Sequence, residues 1–170
     1  MNFEIINQLS TQQATEFFMQ CCTTESWVNR LVNSRPFTGN EQIKSKADEL
    51  WKNLDEADYL QAFEGHPKIG DVNSLRKKYA NTKKLASGEQ QSVNEASEMV
   101  LLELSKGNDD YQAKFGFIFI VCATGKSAEQ MLGLLQKRLV NDRATELVNA
   151  IEEQRKIFQI RLDKAMEQKQ

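Results

Sequence analysis

Apolar residues recur at intervals of three and four along most of this chain, and that period commits those stretches to helices with one buried face. Ser10 and Gln13 form a capping-box start, followed by Ala14, Phe17, Phe18 and Cys21. Thr24 is placed to cap a second helix carrying Trp27, Val28, Leu31 and Val32. Pro36 and Gly39 then break the chain. Ile43, Ala47, Leu50, Trp51 and Leu54 mark a third helical face; Asp55 caps a fourth, with Tyr59, Leu60 and Phe63, which Gly65 ends. A further helix is expected around Leu75 to Tyr79. Ser87-Gly88-Glu89-Gln90 reads as a capping box opening a helix through Val93, Ala96, Val100 and Leu104, which Gly107 is expected to stop. Tyr111 and Phe115 then fall in a short segment leading to Gly116. Ser127 with Gln130 opens the next helix, through Met131, Leu132, Leu135 and Leu139. The last carries Leu147, Ala150, Ile151, Gln154, Ile157, Phe158, Leu162 and Ala165.

Phe117 to Cys122 breaks the pattern by being continuously apolar. Periodicity cannot separate a buried strand from a buried extended loop. With no second strong strand to pair it, a short extended segment packed among helices is expected. The chain shows no repeat, low-complexity tract or linker, and its 170 residues fit one domain. The expected fold is therefore all-α: a single-domain bundle of about eight or nine helices over 1–170, with one short extended apolar segment.

Charge and composition narrow the function. Lys and Arg total 22 against 24 for Asp and Glu, a net charge of −2, which offers no electrostatic case for a nucleic-acid surface or an anionic membrane. No apolar run approaches the roughly 18 residues of a membrane span. Met1 to Ser10 lacks the basic start and apolar stretch of a signal peptide, and the final Glu-Gln-Lys-Gln is no peroxisomal address, so a cytoplasmic location is expected. Partners are then small molecules or a second copy of the chain. Cys21 and Cys22 are adjacent and Cys122 stands alone, so no framework of paired disulfides is suggested; Cys122 is expected to be a buried small hydrophobe. With one histidine in the chain, no zinc site is expected.

That histidine, His66, sits in Gly65-His66-Pro67-Lys68-Ile69-Gly70-Asp71, a stretch that proline and glycine keep from being a regular helix. Imidazole exchanges protons near neutrality, and loops on rigid scaffolds hold many catalytic groups. A surface histidine beside a helix-stopping proline explains the same residues, and local context leaves the two readings level. Glu89 falls in a first helical turn, where an acid complements the helix dipole; as a functional group it could orient an imidazole or hold a substrate amide. Arg161 lies about 40° from the centre of the last helix's apolar stripe. It needs either an anionic partner or a route for its head to water. Thr124-Gly125-Lys126-Ser127 imitates a phosphate-binding loop, but the glycine needed five positions earlier is Ile120, which excludes nucleotide binding there.

Four blocks together resemble the 2-oxo-4-hydroxy-4-carboxy-5-ureidoimidazoline (OHCU) decarboxylases of urate breakdown. They are His66-Pro67-Lys68-Ile69-Gly70-Asp71; Glu89-Gln90; the run from Phe115 through Lys126; and Lys156-Ile157 with Arg161-Leu162. The first and third are specific, and the resemblance spans nearly the whole chain. It implies an all-α fold and loss of CO2 from OHCU to give (S)-allantoin, with neither metal nor organic cofactor, by a homodimer. It implies His66 as proton donor or general acid, with Glu89 and Arg161 as the other catalytic residues. Pro67, Gln90 and the backbone of Phe119, Ile120, Val121, Cys122 and Ala123 match substrate-contacting positions. One departure stands out: the family often has serine three residues before the glutamate, where this chain has Ala86, so Ser87 is a candidate to supply that hydroxyl. Ala86 also keeps open a related ureido acid as the substrate of the same scaffold. A non-catalytic helical interaction module is the other alternative, and it makes His66 and Glu89 expendable.

Overall fold

The computed structural model describes residues 1–68, 71–79 and 90–167, with the side chains of 90–96 left aside. Among them are nine helices and no strand: α1 (Phe3–Gln8), α2 (Thr11–Met19), α3 (Glu25–Asn33), α4 (Asn40–Trp51), α5 (Glu56–Glu64), α6 (Val72–Tyr79), α7 (Gln90–Phe115), α8 (Ala128–Leu139) and α9 (Arg143–Glu167). The all-α expectation is met. The residues form two compact units: Met1–His66 with Ile151–Gln170, and Pro67–Ala150.

In the first unit the periodic faces read from sequence are buried. Ala14, Phe17 and Phe18 of α2, Trp27, Val28 and Leu31 of α3, Ile43, Ala47 and Trp51 of α4, Ala62 and Phe63 of α5 and Phe158 and Leu162 of α9 make its core. Aromatic rings knit it: Phe18 meets Trp27 and Phe37 edge-on, and Phe158 lies against both Trp27 and Trp51. Large rings bury much apolar area, but each indole also carries an N–H that needs an acceptor. Trp27 donates to the Ala47 carbonyl at 3.0 Å and Trp51 to that of Ile151 at 3.1 Å, so each core ring also pins a neighbouring backbone. Helix α1, which periodicity had not marked, is only six residues long and is started by Asn2, whose side chain accepts from Ile5 N at 3.2 Å. The Arg35 guanidinium closes its far end on the carbonyls of Ile6 and Leu9, a cation where helix carbonyls lack partners.

The Ser10–Gln13 capping box and the Asp55 cap are both formed. Thr24 does occupy the cap position of α3, but its side chain makes no cap bond, and its buried hydroxyl has no partner among the described residues. The Glu25 N–H is served instead by Gln61 Oε1 of α5, at 3.0 Å. The cap has been replaced by a tertiary bond that docks α5 on the start of α3.

In the second unit, Gly107 does not stop its helix; α7 runs on to Phe115 and takes in Tyr111. A glycine inside a helix is tolerated, and here it is needed for space: a Cβ on Gly107 would lie 2.6 Å from a Leu135 methyl, so its absence lets α8 pack closely on α7. Helix α7 ends instead at Gly116, whose φ of 80° suits glycine. The next residues, 118–123, have no regular secondary structure, as expected for the apolar run. Phe117, Phe119 and Ile120 are buried in it, while Cys122, expected to be buried, is half-exposed. The Ser127–Gln130 capping box opens α8, and Lys126 donates to the Cys122 carbonyl at 2.6 Å rather than serving an anion loop.

This unit also holds an ionic centre that periodicity could not show. Glu146 is fully buried and accepts from Tyr111 OH at 2.6 Å, Arg138 Nε at 2.6 Å, Asn149 at 2.7 Å and Asn141 at 2.9 Å. Arg138 in turn donates to the Ile120 carbonyl at 2.5 Å and stacks its guanidinium over Phe119. Burial alone raises a carboxyl's pKa, but the hydrogen bonds from Tyr111, Asn141 and Asn149 and the Arg138 charge outweigh it and hold Glu146 below the usual range. A group whose folded pKa is depressed stabilises above the ordinary carboxylate range and loses that contribution as pH falls through its folded value. Glu146→Ala, which strands Arg138, is expected to cost about 3–5 kcal/mol in urea unfolding. Glu146→Gln is expected to flatten the acid limb of stability against pH; an unchanged limb would show that Glu146 is not its source.

Candidate active site

The link between α2 and α3, the end of α5 and one face of α9 meet around His66. The link turns tightly, with the N–H groups of Cys21 and Cys22 both bonded to the Phe18 carbonyl, at 2.9 and 3.1 Å. Gly65 closes α5 with an ordinary helical φ of −71°, so its role is steric. A Cβ there would stand 1.9 Å from Thr23 Oγ1, and the missing side chain lets the chain pass against the link. His66 then bonds its own N–H to the Phe63 carbonyl at 3.1 Å, which fixes where the imidazole leaves the backbone.

The half-buried His66 ring bonds through Nε2 to Oε1 of Gln154. Gln154 is fully buried, and its Nε2 donates to Cys22 Sγ at 3.7 Å. Seven residues further along α9, almost two turns and so on the same face, Arg161 donates from Nη1 to the Cys21 carbonyl at 3.2 Å. Among the described residues no carboxylate pairs with Arg161. Its charge therefore acts on its surroundings. Burial lowers the His66 pKa from its ordinary 6.5, the Gln154 bond raises it and the Arg161 charge lowers it, with a net depression. Burial likewise pushes the Cys21 thiol up to about 12 and that of Cys22 to about 11, with Arg161 pulling the other way. Both thiols stay protonated at neutral pH and are not nucleophiles.

Of the residues singled out from sequence, His66 and Arg161 thus lie in one unit, joined through Gln154, Cys22 and Cys21. Pro67 opens the second unit, which also contains Phe119, Ile120, Val121, Cys122 and Ala123, the segment braced by Arg138. Gln90 is the first residue of α7. Glu89, Ala86 and Ser87 lie outside the described residues, as does the capping box assigned to Ser87–Gln90. Among the described residues no group of three or more His, Cys, Asp or Glu is arranged to hold a metal ion, and no helix is long and apolar enough to cross a membrane.

Gln154 is the site residue that sequence reasoning missed. The signal was present: it is the one amide on an otherwise apolar stripe, and a buried amide must be paired. His66 is the only histidine, so its ring signals in NMR are unambiguous. They are expected to titrate below 6.5, and Arg161→Gln is expected to move that midpoint upward by removing a like charge; a downward move would contradict the electrostatics. Gly65→Ala, which must push the chain off Thr23, is expected to lower turnover on the order of tenfold to a hundredfold by displacing the imidazole.

Comparison with known proteins identifies the family. The family model for OHCU decarboxylase matches residues 7–163. A uric acid degradation bifunctional protein of Arabidopsis thaliana is 33% identical over 88% of this chain, which spans only 46% of that relative's length. A 2-oxo-4-hydroxy-4-carboxy-5-ureidoimidazoline decarboxylase of Haloferax volcanii is 22% identical over 95% of this chain and 94% of its own. A crystal structure of an OHCU decarboxylase in the presence of (S)-allantoin superimposes with a TM-score of 0.72 at 31% identity, covering 91% of this chain and 99% of that one. With matching helices and a family model covering nearly its whole length, the chain belongs to the OHCU decarboxylase family.

Proposed function

We propose that residues 1–170 act as one OHCU decarboxylase domain in urate degradation, releasing CO2 from OHCU and forming (S)-allantoin. The observation that carries this reading is a half-buried, normally neutral histidine sharing its surroundings with an arginine that no described carboxylate neutralises. Such a pair suits an anionic substrate that must receive a proton. Arg161 would hold anionic oxygen of the substrate in a fixed geometry. The ring carbon–carboxylate bond then breaks and CO2 leaves. The electron pair left behind passes to the adjacent imine of the substrate ring, so the substrate is its own electron sink and the reaction calls for no organic cofactor or metal. The imine nitrogen takes up a proton from solvent, leaving an enol. His66, protonated in the complex with the anionic substrate, then acts as general acid and delivers a proton to the former imine carbon from one face, while the enol hydroxyl gives up its proton and becomes the carbonyl. This gives a single enantiomer, and solvent reprotonates the imidazole.

The remaining roles follow the family resemblance. Glu89 orients the imidazole or holds a substrate amide. Pro67, Gln90 and the backbone N–H groups of Phe119 to Ala123 contact the substrate, with the N–H groups facing the developing negative charge. Ser87 stands in for the serine that Ala86 replaces. The active form is a homodimer located in the cytoplasm.

The test is circular dichroism of allantoin formed from urate by the two preceding enzymes, with and without this protein. Spontaneous decay gives a racemate, so a persistent signal of one hand reports catalysis. His66→Asn is expected to reduce the decarboxylation rate by about a hundredfold or more while leaving the fold intact. No acceleration by the wild-type chain on fresh OHCU would reject the assignment, and activity only on other ureido acids would assign the scaffold to a different substrate.

A further inference from the structure

We infer that Gln154 is a positioning residue whose buried amide fixes the imidazole of His66 as the Nε2–H tautomer and leaves Nδ1 as the atom that exchanges a proton with substrate. The first half stands on geometry alone; the second rests on the decarboxylase reading.

A glutamine amide has one end that only donates and one that only accepts. The donor end faces Cys22 Sγ, with Gln154 Nε2 donating to it at 3.7 Å. The acceptor end faces His66 Nε2. An oxygen that can only accept requires a proton on that nitrogen, and a neutral imidazole has one N–H to place. The reverse arrangement pairs a weak thiol donor with the amide oxygen and puts the proton on Nδ1. It replaces N–H···O and N–H···S by N–H···N and S–H···O, and so asks the weakest donor of the set, the thiol, to satisfy the buried amide oxygen.

This anchor is indifferent to the protonation step. Oε1 accepts from Nε2–H in the neutral ring and in the imidazolium alike. A proton can therefore arrive at and leave Nδ1 without breaking the bond or turning the ring, the geometric constancy that transfer to one face of a planar carbon requires. An amide also does this without a negative charge, which would bind the imidazolium too firmly to release its proton. Among the described residues, the titratable or charged groups at this ring are Arg161 from α9 and the Cys21 and Cys22 thiols from the α2–α3 link. Both thiols stay protonated through the working pH range.

The lone histidine makes the tautomer directly readable. In the full chain labelled with 15N-histidine, without substrate and above the ring's midpoint, two-bond 1H–15N correlations are expected to show Nε2 pyrrole-like and Nδ1 pyridine-like. An Nδ1–H pattern, or an averaged mixture, overturns the inference. Gln154→Met keeps the side chain's length and removes its acceptor; it is expected to give a tautomer mixture and a kcat about tenfold lower with little change in KM. Gln154→Glu keeps the acceptor and adds charge, and is expected to raise the His66 midpoint, and the matching limb of the pH–rate profile, by about one pH unit or more. Variants that change only thermal stability, leaving tautomer, midpoint and kcat alone, would make Gln154 merely structural. Because the wild-type tautomer is read without turnover, an Nε2–H signal in a chain that fails to decarboxylate OHCU rejects the function and leaves the geometry standing.

Discussion

A fully buried glutamine amide must satisfy both its ends inside the protein, and around His66 that requirement ties three elements together. Gln154 reaches from α9 to the imidazole beyond α5 and to the sulfur of the α2–α3 link. A buried polar group without partners costs on the order of 1–3 kcal/mol, so the amide selects the packing in which both are met. The aromatic core holds α9 where this can happen: Phe158, one turn beyond Gln154, is wedged against Trp27 and Trp51, and Trp51 also holds the Ile151 carbonyl. Hydrophobic burial supplies the adhesion, and the amide supplies the register.

The second unit solves a related problem with charge. An extended run lacks the internal bonds of a helix, so its carbonyls need outside donors. Arg138 supplies one at Ile120, and Glu146 makes Arg138 affordable by neutralising it in a cage of Tyr111, Asn141 and Asn149. A buried ion pair is a weak source of net stability and a strong source of fixed geometry. The run Phe119 to Ala123, read from the resemblance as contacting substrate, is the stretch next to that clamp. On the proposed function this backbone directs N–H groups at a developing charge and has to be held still, and the Arg138–Glu146 pair bonded to the Ile120 carbonyl steadies it.

Much of this was legible in the chain itself, for reasons that differ by element. Helices α2, α3, α4, α5 and α8 carry both periodic faces and local stop or start chemistry, and local chemistry is what a sequence states directly. The short α1 has one buried residue, Ile6, too few to make a period. Gly107 looked like a stop because its reason, room for Leu135, sits 28 positions away. Thr24 looked like a cap for the same kind of reason: Gln61, remote along the chain, took its place. His66 and Arg161 were visible as residue types in unusual places, whereas Gln154 was passed over as part of a stripe. Its meaning depends on partners 88 and 132 positions distant, and no local window contains them. Glu146 was hidden for another reason: Arg138, Asn141 and Asn149 lie within eight positions of it, but an acid in a helix's first turn reads as an exposed dipole partner rather than a buried carboxylate.

The electrostatic balance at His66 links the fold to the chemistry. Burial and the Arg161 charge favour the neutral ring, and the Gln154 bond favours the charged one. On the proposed function the Arg161 contribution is conditional, because Arg161 has no described carboxylate partner and an anionic substrate would become that partner. A bound anion offsets the cation's repulsion and raises the proton affinity of the imidazole, while Gln154 holds the ring still. The proton affinity of the ring is then higher with the anionic substrate bound than in the empty site, in the direction the reaction needs. A carboxylate in place of Gln154 would hold the ring charged in both situations and erase the difference. The neutral amide preserves it, which is a chemical reason for glutamine at that point of α9.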